Sequence, residues 1–450
     1  MASLNVWMNG ERVGEWGTLR GGNPFFRYAK SWADSSRARA LSISLPLTAD
    51  LELRGEAVEN YFENLLPDNP EIRRRIRTRF KTSSSSTFDL LAAIGRDCAG
   101  AVQLVPPNEE PTGWNRIDAE LLTDEEVDTA LREVTAGTSL RRDEEDDFRM
   151  SLAGAQEKTA FLGMAGKWFR PRHATPTTHI FKLPLGVIGG FRGDFSDSVE
   201  NEWLCGKILH ELGLPVAEST IGTFGEQRVL VVKRFDRRWI GVAEGAERND
   251  QYKPSADHWI ARLPQEDFCQ ATGRPSTRKY EADGGPSIAE ILTLLAFSAN
   301  AASDQANFVL AQLTFWLLAA TDGHGKNFSL HHGVGGAYEM TPFYDVLSAW
   351  PVIGHGKNEL PLEKAKLAMA LRSENAHYRI SEIQTRHWEA LARSAGVMGL
   401  WERMQEHVDS VEPALGRVQG LLPADFSERV FATICSGVRS QVRRFQAAIA

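Results

Sequence analysis

The sequence predicts an α+β protein in two lobes, the first rich in strands and the second mainly helical. Three observations predict it. Short runs of strand character dominate from residue 148 to about residue 235. One stretch of helical spacing, residues 198–212, interrupts them. Beyond Pro264, residues 288–298, 304–320, 387–395 and 426–448 have helical spacing or length. A chain of 450 residues is too long for one compact core, and roughly 150 residues per domain gives two or three domains.

The elements follow in order. Residues 6–8 and 12–16 flank Asn9-Gly10, the signal of a hairpin closed by a type I′ turn. Leu41, Ile43 and Leu45 alternate with Ser42 and Ser44, the pattern of a half-buried strand. Asn69-Pro70 opens a helix, with asparagine as cap and proline at the first position. That helix carries Arg73, Arg74, Arg75, Arg77 and Arg79, with Lys81 after them. Two readings stand, a phosphate- or DNA-facing patch and a solvated face. Residues 81–87, KTSSSST, form a polar loop. Residues 108–115 form another, with a boundary close to Pro111, and 141–147 form a charged connector. Strands are expected over 159–162, 178–183 and 228–232.

Composition narrows the class. Hydrophobic residues make up 42% and charged residues 24%, ordinary for a soluble globular protein. A net charge of -8 offers no whole-chain attraction for nucleic acid or anionic membranes, although a local basic patch remains open. Cys98, Cys205, Cys269 and Cys435 form no close pair, and no histidine stands at zinc-finger spacing from them. Free buried thiols in a reducing compartment are expected. The N-terminus, MASLNVWMNGERVGEW, lacks the basic-then-apolar pattern of a signal peptide. The longest mostly apolar stretch, 313–320, is too short to span a bilayer. A cytoplasmic protein without a membrane partner is expected.

The segment TDGHGKN, 321–327, is the sharpest candidate for chemistry. It places Asp322 five positions before Asn327, the aspartate-to-asparagine spacing of a kinase catalytic loop. A carboxylate can orient an attacking hydroxyl and accept its proton. A neutral amide oxygen nearby can hold magnesium without adding a second charge. Gly323 and Gly325 let the loop bend between them. His324 and Lys326 lie inside it, and His324 has either an active-site or a local hydrogen-bonding role. Asp345, in TPFYDVLS, follows a short hairpin built around Gly333, Gly335 and Gly336. A second magnesium-gripping aspartate is expected in that place, and a helix cap is the alternative.

Lys182 lies in the apolar run HIFKLP, where burial is costly unless it meets an anion. An ATP phosphate would satisfy it; a snorkelling lysine on a sheet edge is the plain alternative. Glu202 is its expected carboxylate partner. On the helix SDSVENEWLCGKILHEL it lies beside Val199, Cys205 and Leu209, on the inward flank. Glu200 shares a face with Lys207 and is expected to face solvent. Residues 151–158, SLAGAQEK, combine small residues whose N–H groups can approach phosphate oxygens. Neither GxxxxGK[ST] nor GxGxxG is present, and an ordinary tight turn is the alternative. Ser151 heads this loop and could itself accept a phosphoryl group. His331 and His332 are adjacent on a strand and point to opposite faces, against shared metal ligation. What carries weight is the joint order of loop, strand lysine, helix glutamate, Asp-x4-Asn and later aspartate.

The sequence resembles the HipA kinase toxins of bacterial HipA–HipB pairs. The resemblance is carried by WMNGERVGE, LSISLPL, NLLPDNP, FDLLAAIGRD, AGAQEKTA, PTTHIFKLP, RFDRRW, RLPQEDFCQ, KYEADGGP, ATDGHGKNFS and TPFYDVLSAWP, spread from residue 7 to 351. It implies a two-lobed HipA/phosphatidylinositol-kinase-like fold. In that division, 1–110 is an N-terminal subdomain of strands plus a helix. Residues 111–263 complete the N-lobe with phosphate loop, lysine strand and hinge. Residues 264–450 form the helical C-lobe. The resemblance makes Asp322 the catalytic aspartate, and Asn327 and Asp345 the ligands of Mg2+. Ala153, Gly154, Ala155 and Gln156 would form the phosphate loop. Lys158, Lys182, Glu202, His324 and Lys326 would serve ATP. Residues 231–235 would be the hinge, with Phe235 against adenine and Lys233 standing where the family commonly has glutamate. Ser151 matches the serine that HipA phosphorylates in itself, which disorders the loop and silences the kinase. Implied partners are a dimeric HipB-type helix-turn-helix antitoxin, its operator DNA, and glutamyl-tRNA synthetase as substrate. Two competing expectations are a catalytically silent subunit of the DNA complex, acting only through HipB, and a small-molecule kinase.

Overall fold

The hairpin at the N-terminus forms as its turn chemistry demands. Strands Ser3–Met8 and Glu11–Thr18 pair antiparallel, and Asn9 and Gly10 take φ of 46° and 81°. Only a type I′ turn needs two successive positive φ values, and Asn-Gly meets that need at least cost. The computed structural model describes residues 2–136, 150–188 and 193–449; the connector expected at 141–147 lies outside them. The chain forms two compact units, each assembled from separated stretches. One comprises Met1–Leu183, Gly222–Thr277 and Ser329–Tyr338; the other comprises Pro184–Ile221, Arg278–Phe328 and Glu339–Ala450.

In the first unit, strands Glu52–Arg54, Pro24–Tyr28, Glu11–Thr18, Ser3–Met8 and Gln103–Val105 form a sheet in that order. Its buried face packs on helices Glu56–Glu63 and Thr87–Ile94, with Trp16 stacked on Phe62 at 4.0 Å. Helix Pro70–Phe80 starts as expected, the Asn69 side chain accepting from Glu71 N–H at 2.8 Å. It buries no residue, and Arg73, Arg74 and Arg75 pair with Glu63, Glu71 and Glu157. Those are the features of a solvated face.

The strand expected across residues 41–45 is a correction. Only an isolated bridge joins Ser42 to Leu45. The hydrogen bonds that a ladder would use go to a side chain instead. The buried Glu266 carboxylate accepts from Ile43 N–H at 2.8 Å and from the Ser42 hydroxyl.

A second sheet of this unit runs through Gln227–Lys233, His179–Lys182, Lys158–Met164, Lys167–Pro171 and Ala119–Leu121. Helix Asp124–Ala136, absent from the sequence expectations, packs Val127 and Leu131 into a cluster with Phe161 and Phe181. Asp97–Cys98 pairs parallel with Met150–Ser151, bringing an N-terminal stretch alongside the start of the small-residue loop.

The second unit is built on helix Ala301–Leu318. Every residue from Phe308 to Leu318 is buried, so this part of the helix is a core element without a polar face. Helices Ser198–Glu211, Ile288–Leu295, Thr385–Ser394 and Glu428–Gln446 match the helical stretches read from sequence. Leu400–Asp409 and Val411–Gln419 are two helices that were not expected. Glu200 is a second correction: it is 8% exposed, because every residue from Ser198 to Cys205 is buried. All four cysteines are free and buried. Among the described residues no helix is long and apolar enough to cross a membrane.

Candidate active site

In the second unit, TDGHGKN begins where the central helix stops. Ala319 takes the left-handed conformation, φ 48°, and Ala320 N–H returns to the Phe315 carbonyl at 2.8 Å. A side chain on Gly323 would drive into the Phe315 ring, so this close approach needs glycine. Behind the loop, buried Phe328 packs against Phe308, Phe315 and Phe343 at centroid distances of 5.2, 5.6 and 6.0 Å.

That support leaves Asp322 with a side chain 54% exposed, while His324, Lys326 and Asn327 are buried. Asn327 Nδ2 donates to the Asp322 carbonyl at 2.7 Å. Its amide nitrogen is thereby engaged within the loop, which leaves the oxygen as the end suited to a hard cation. His324 Nε2 stands 3.7 Å from the Asp322 carboxylate, and the Tyr280 hydroxyl donates to that carboxylate.

Asp345 has φ 60°, a left-handed backbone that non-glycine residues rarely adopt. Such a conformation persists only where the surroundings over-determine it, which they do here. Phe343 N–H donates to the Pro215 carbonyl at 2.8 Å, and Ala217 N–H donates to the Phe343 carbonyl at 2.9 Å. Downstream, the Asn201 side chain clamps Ser348 from both sides, donating to its carbonyl and accepting from its N–H, each at 2.8 Å. The Ser348 hydroxyl reaches the Leu318 carbonyl at 2.6 Å, at the end of the central helix. Tyr344 hydroxyl donates to the Lys326 carbonyl at 2.9 Å. The neighbour of Asp345 thus touches the neighbour of Asn327, so one local framework holds both expected metal ligands. An amide oxygen and a carboxylate are the hard donors that magnesium takes. Glu202 is buried on helix Ser198–Glu211, as expected.

In the first unit, Lys182 is 6% exposed on an interior strand, directly opposite Leu230 on one side and Lys158 on the other. It is therefore not an edge lysine. Two lysines directly opposite share one face of the sheet. The loop before Lys158 is a folded turn. Gly154 has φ 103°, its carbonyl accepts from Asp68 N–H at 3.1 Å, and it bridges Pro67. Lys158 Nζ donates to the Ala153 carbonyl at 2.8 Å, and Gln156 Nε2 donates to the Leu183 carbonyl at 2.6 Å. Ser151 is fully buried, its hydroxyl donating to the Leu65 carbonyl at 2.8 Å. Lys233 and Phe235 are half-buried on either side of buried Arg234, and the Phe235 ring meets His331 edge-on at 5.6 Å. His332 turns instead to Glu266, Nε2 to carboxylate 2.7 Å. Among the described residues no cluster of three or more histidine, cysteine, aspartate or glutamate side chains suits a metal ion.

Sequence reasoning missed a buried ionic cluster in the first unit. Asp97 and Asp236 pair with Arg234, Arg237 and Arg262, whose side chains are each 2% exposed. The density of charge in RFDRRW next to an apolar strand was a signal available for it. Asn201 and Tyr280 were also missed. Nothing local marks an asparagine inside a helix as a clamp.

A solved complex from Shewanella oneidensis, described as the toxin–antitoxin system HipA, HipB and its operator DNA, shares this fold. The TM-score is 0.76 at 23% identity, over 99% of this chain and 97% of that chain. The molecule is a protein kinase with the two-lobed α+β fold. Residues 150–417 match the HipA-like C-terminal domain, and residues 4–105 match the HipA N-terminal domain. The chain belongs to the HipA family. Y4mE of Sinorhizobium fredii is 32% identical over 435 residues, 92% of this chain and 91% of that protein. The serine/threonine-protein kinase toxin HipA of Shewanella oneidensis is 29% identical over 347 residues, 71% of this chain and 69% of its own length.

Proposed function

We propose that the chain is the toxin of a type II toxin–antitoxin pair, a cytoplasmic kinase that moves the γ-phosphoryl group of ATP onto a protein serine. The observation that carries this is the loop from Asp322 to Asn327. It presents one exposed carboxylate, and its asparagine is turned by a bond to the loop's own backbone. Asp322 would orient the acceptor hydroxyl and take its proton. Asn327 and Asp345 would hold Mg2+, which when bound offsets charge on the phosphates. Lys158, Lys182 and the turn at Ala153, Gly154, Ala155 and Gln156 would receive the phosphates. Glu202 would orient Lys182, and His324 and Lys326 would complete the ATP contacts. Lys233 and Phe235 would lie along adenine. The reading is supported by Lys158 and Lys182 standing directly opposite each other on neighbouring strands.

The proposed partners are a HipB-type antitoxin dimer and operator DNA, as in the Shewanella complex. The proposed substrate is glutamyl-tRNA synthetase. Ser151 would be an autophosphorylation site. Its hydroxyl is buried against the Leu65 carbonyl, so strand Met150–Ser151 must leave this position before it can react. A phosphate carrying nearly two negative charges could not return beside that carbonyl oxygen, which gives the modification a one-way effect on the loop.

Incubation with ATP, Mg2+ and glutamyl-tRNA synthetase, followed by mass spectrometry, tests the reading. One phosphate on a synthetase serine and one on Ser151 are expected, and neither with Asp322→Asn. Undiminished transfer by Asp322→Asn removes the role given to that residue. An unmodified synthetase beside phosphorylated Ser151 removes only the substrate.

A further inference from the structure

We propose that Tyr280 is the positioning residue for Asp322, a role that rests on the reading of Asp322 as the catalytic aspartate. The Tyr280 hydroxyl donates to the Asp322 carboxylate, and its ring packs edge-on against His324 at 5.0 Å. The preceding residue holds the same loop by its backbone, the Lys279 carbonyl accepting from Gly325 N–H at 3.1 Å. Two consecutive residues therefore fix the catalytic loop, one at the side chain and one at the main chain.

This brace is itself rigid. The Tyr280 carbonyl accepts from Asp283 N–H at 3.0 Å and from Gly285 N–H at 2.8 Å. A Cβ on Gly285 would lie 2.6 Å from the Arg278 carbonyl oxygen and 2.7 Å from the Lys279 carbonyl carbon, so only glycine lets the turn close. Glu281, 8% exposed, accepts from Ala370 N–H at 2.7 Å and from Arg372.

An exposed carboxylate samples several orientations about its side-chain torsions. A fixed hydroxyl on one oxygen selects one of them. Because the donor is neutral, it does so without cancelling the negative charge that the incoming serine hydroxyl must meet. One carboxylate oxygen is held, and the other is aimed.

The test is Tyr280→Phe in the full chain, which keeps the ring against His324 and removes only the hydroxyl. ADP formation with ATP and Mg2+ is followed whatever the acceptor, beside Asp322→Asn. The expected result is a kcat lower by about tenfold, or ~1.4 kcal/mol, with KM for ATP unchanged. A residue of purely structural importance would instead move both constants or lower the amount of folded protein. Wild-type kcat in Tyr280→Phe, with Asp322→Asn inactive, overturns this inference and leaves the kinase reading in place. Full ADP formation by Asp322→Asn, or none by the wild type, overturns both.

Discussion

Replacing Asp97 by asparagine removes one negative charge from a site that already holds too few. Arg234, Arg237 and Arg262 carry three positive charges against two on Asp97 and Asp236, so the cluster stands at +1 and the variant at +2. One Asp97 oxygen accepts from Arg237 at 2.8 Å and Arg262 at 3.2 Å. The other accepts from Thr177 Oγ1 at 2.7 Å, Thr177 N–H at 3.1 Å and Arg234 at 3.3 Å. An asparagine amide of the same shape would turn a donor toward these donors. Burial alone would raise the Asp97 pKa, but the Arg237, Arg234 and Arg262 guanidiniums outweigh it and hold the carboxyl well below the usual range. Removing one partner of a buried pair costs about 3–5 kcal/mol. By contrast, Arg262→Met leaves two positive against two negative charges and costs about 2 kcal/mol for the lost charged hydrogen bonds. The expected order is therefore Asp97→Asn more damaging than Arg262→Met. Because Asp97–Cys98 pairs with Met150–Ser151, the loss is local and is read by amide hydrogen exchange at those four residues. The depressed folded-state pKa means that Asp97 contributes stability above its ordinary value near 3.9 and loses it as pH falls below that. Protection in the wild type is accordingly expected to fall below about pH 4, and Asp97→Asn to show a smaller step, the remainder belonging to Asp236, whose carboxyl Arg234 and Arg237 also hold low against burial. Equal exchange in the two variants, or a worse result for Arg262→Met, would refute the charge-balance argument.

Three further outcomes are expected in the second unit. Burial, helped by Arg403, pushes the His407 imidazole down from 6.5 to about 4, beside the Thr314 hydroxyl at 2.8 Å. The unfolded chain then binds more protons between those two pH values. Stability should fall across that window by about 3 kcal/mol as pH drops. His407→Gln should flatten most of that slope in pH-dependent urea unfolding, while His387, also lowered by burial, keeps a remainder. In Asn201→Asp the side chain can no longer donate to the Ser348 carbonyl, which should cost roughly 2 kcal/mol and lower kcat by loosening the segment that carries Asp345. Unchanged kinetics in that variant would deny the clamp a functional role. Asp345→Asn tolerates the same left-handed backbone, so the variant should fold, as read by urea unfolding, while ADP formation is lost.

Much of the chemistry was legible because it is local. Asp322, Gly323 and Asn327 lie within one turn of chain, and the loop they form is decided by a helix stop, a glycine and an aromatic immediately behind it. The helix start at Asn69-Pro70 and the Asn9-Gly10 turn are similarly short-range. Residues 41–45 show the limit of that reasoning. Their period-two pattern satisfies a strand and a turn equally, and a carboxylate at Glu266, more than two hundred positions away, decided for the turn. Glu200 shows another limit: helical spacing says which residues share a face, but not whether a neighbouring element covers that face.

By itself the sequence determined the inventory and order of reactive side chains, the turns and caps, and the alternation of strand and helix. These depend on residues a few positions apart, whose backbone preferences act wherever the chain goes. Tertiary structure alone decided that Ser151 is buried, that Asp345 takes a left-handed backbone, that Tyr280 reaches Asp322, and that three arginines converge on Asp97. Each of these depends on contacts between groups distant in the chain, where desolvation and charge are settled by what packs alongside rather than by what comes next.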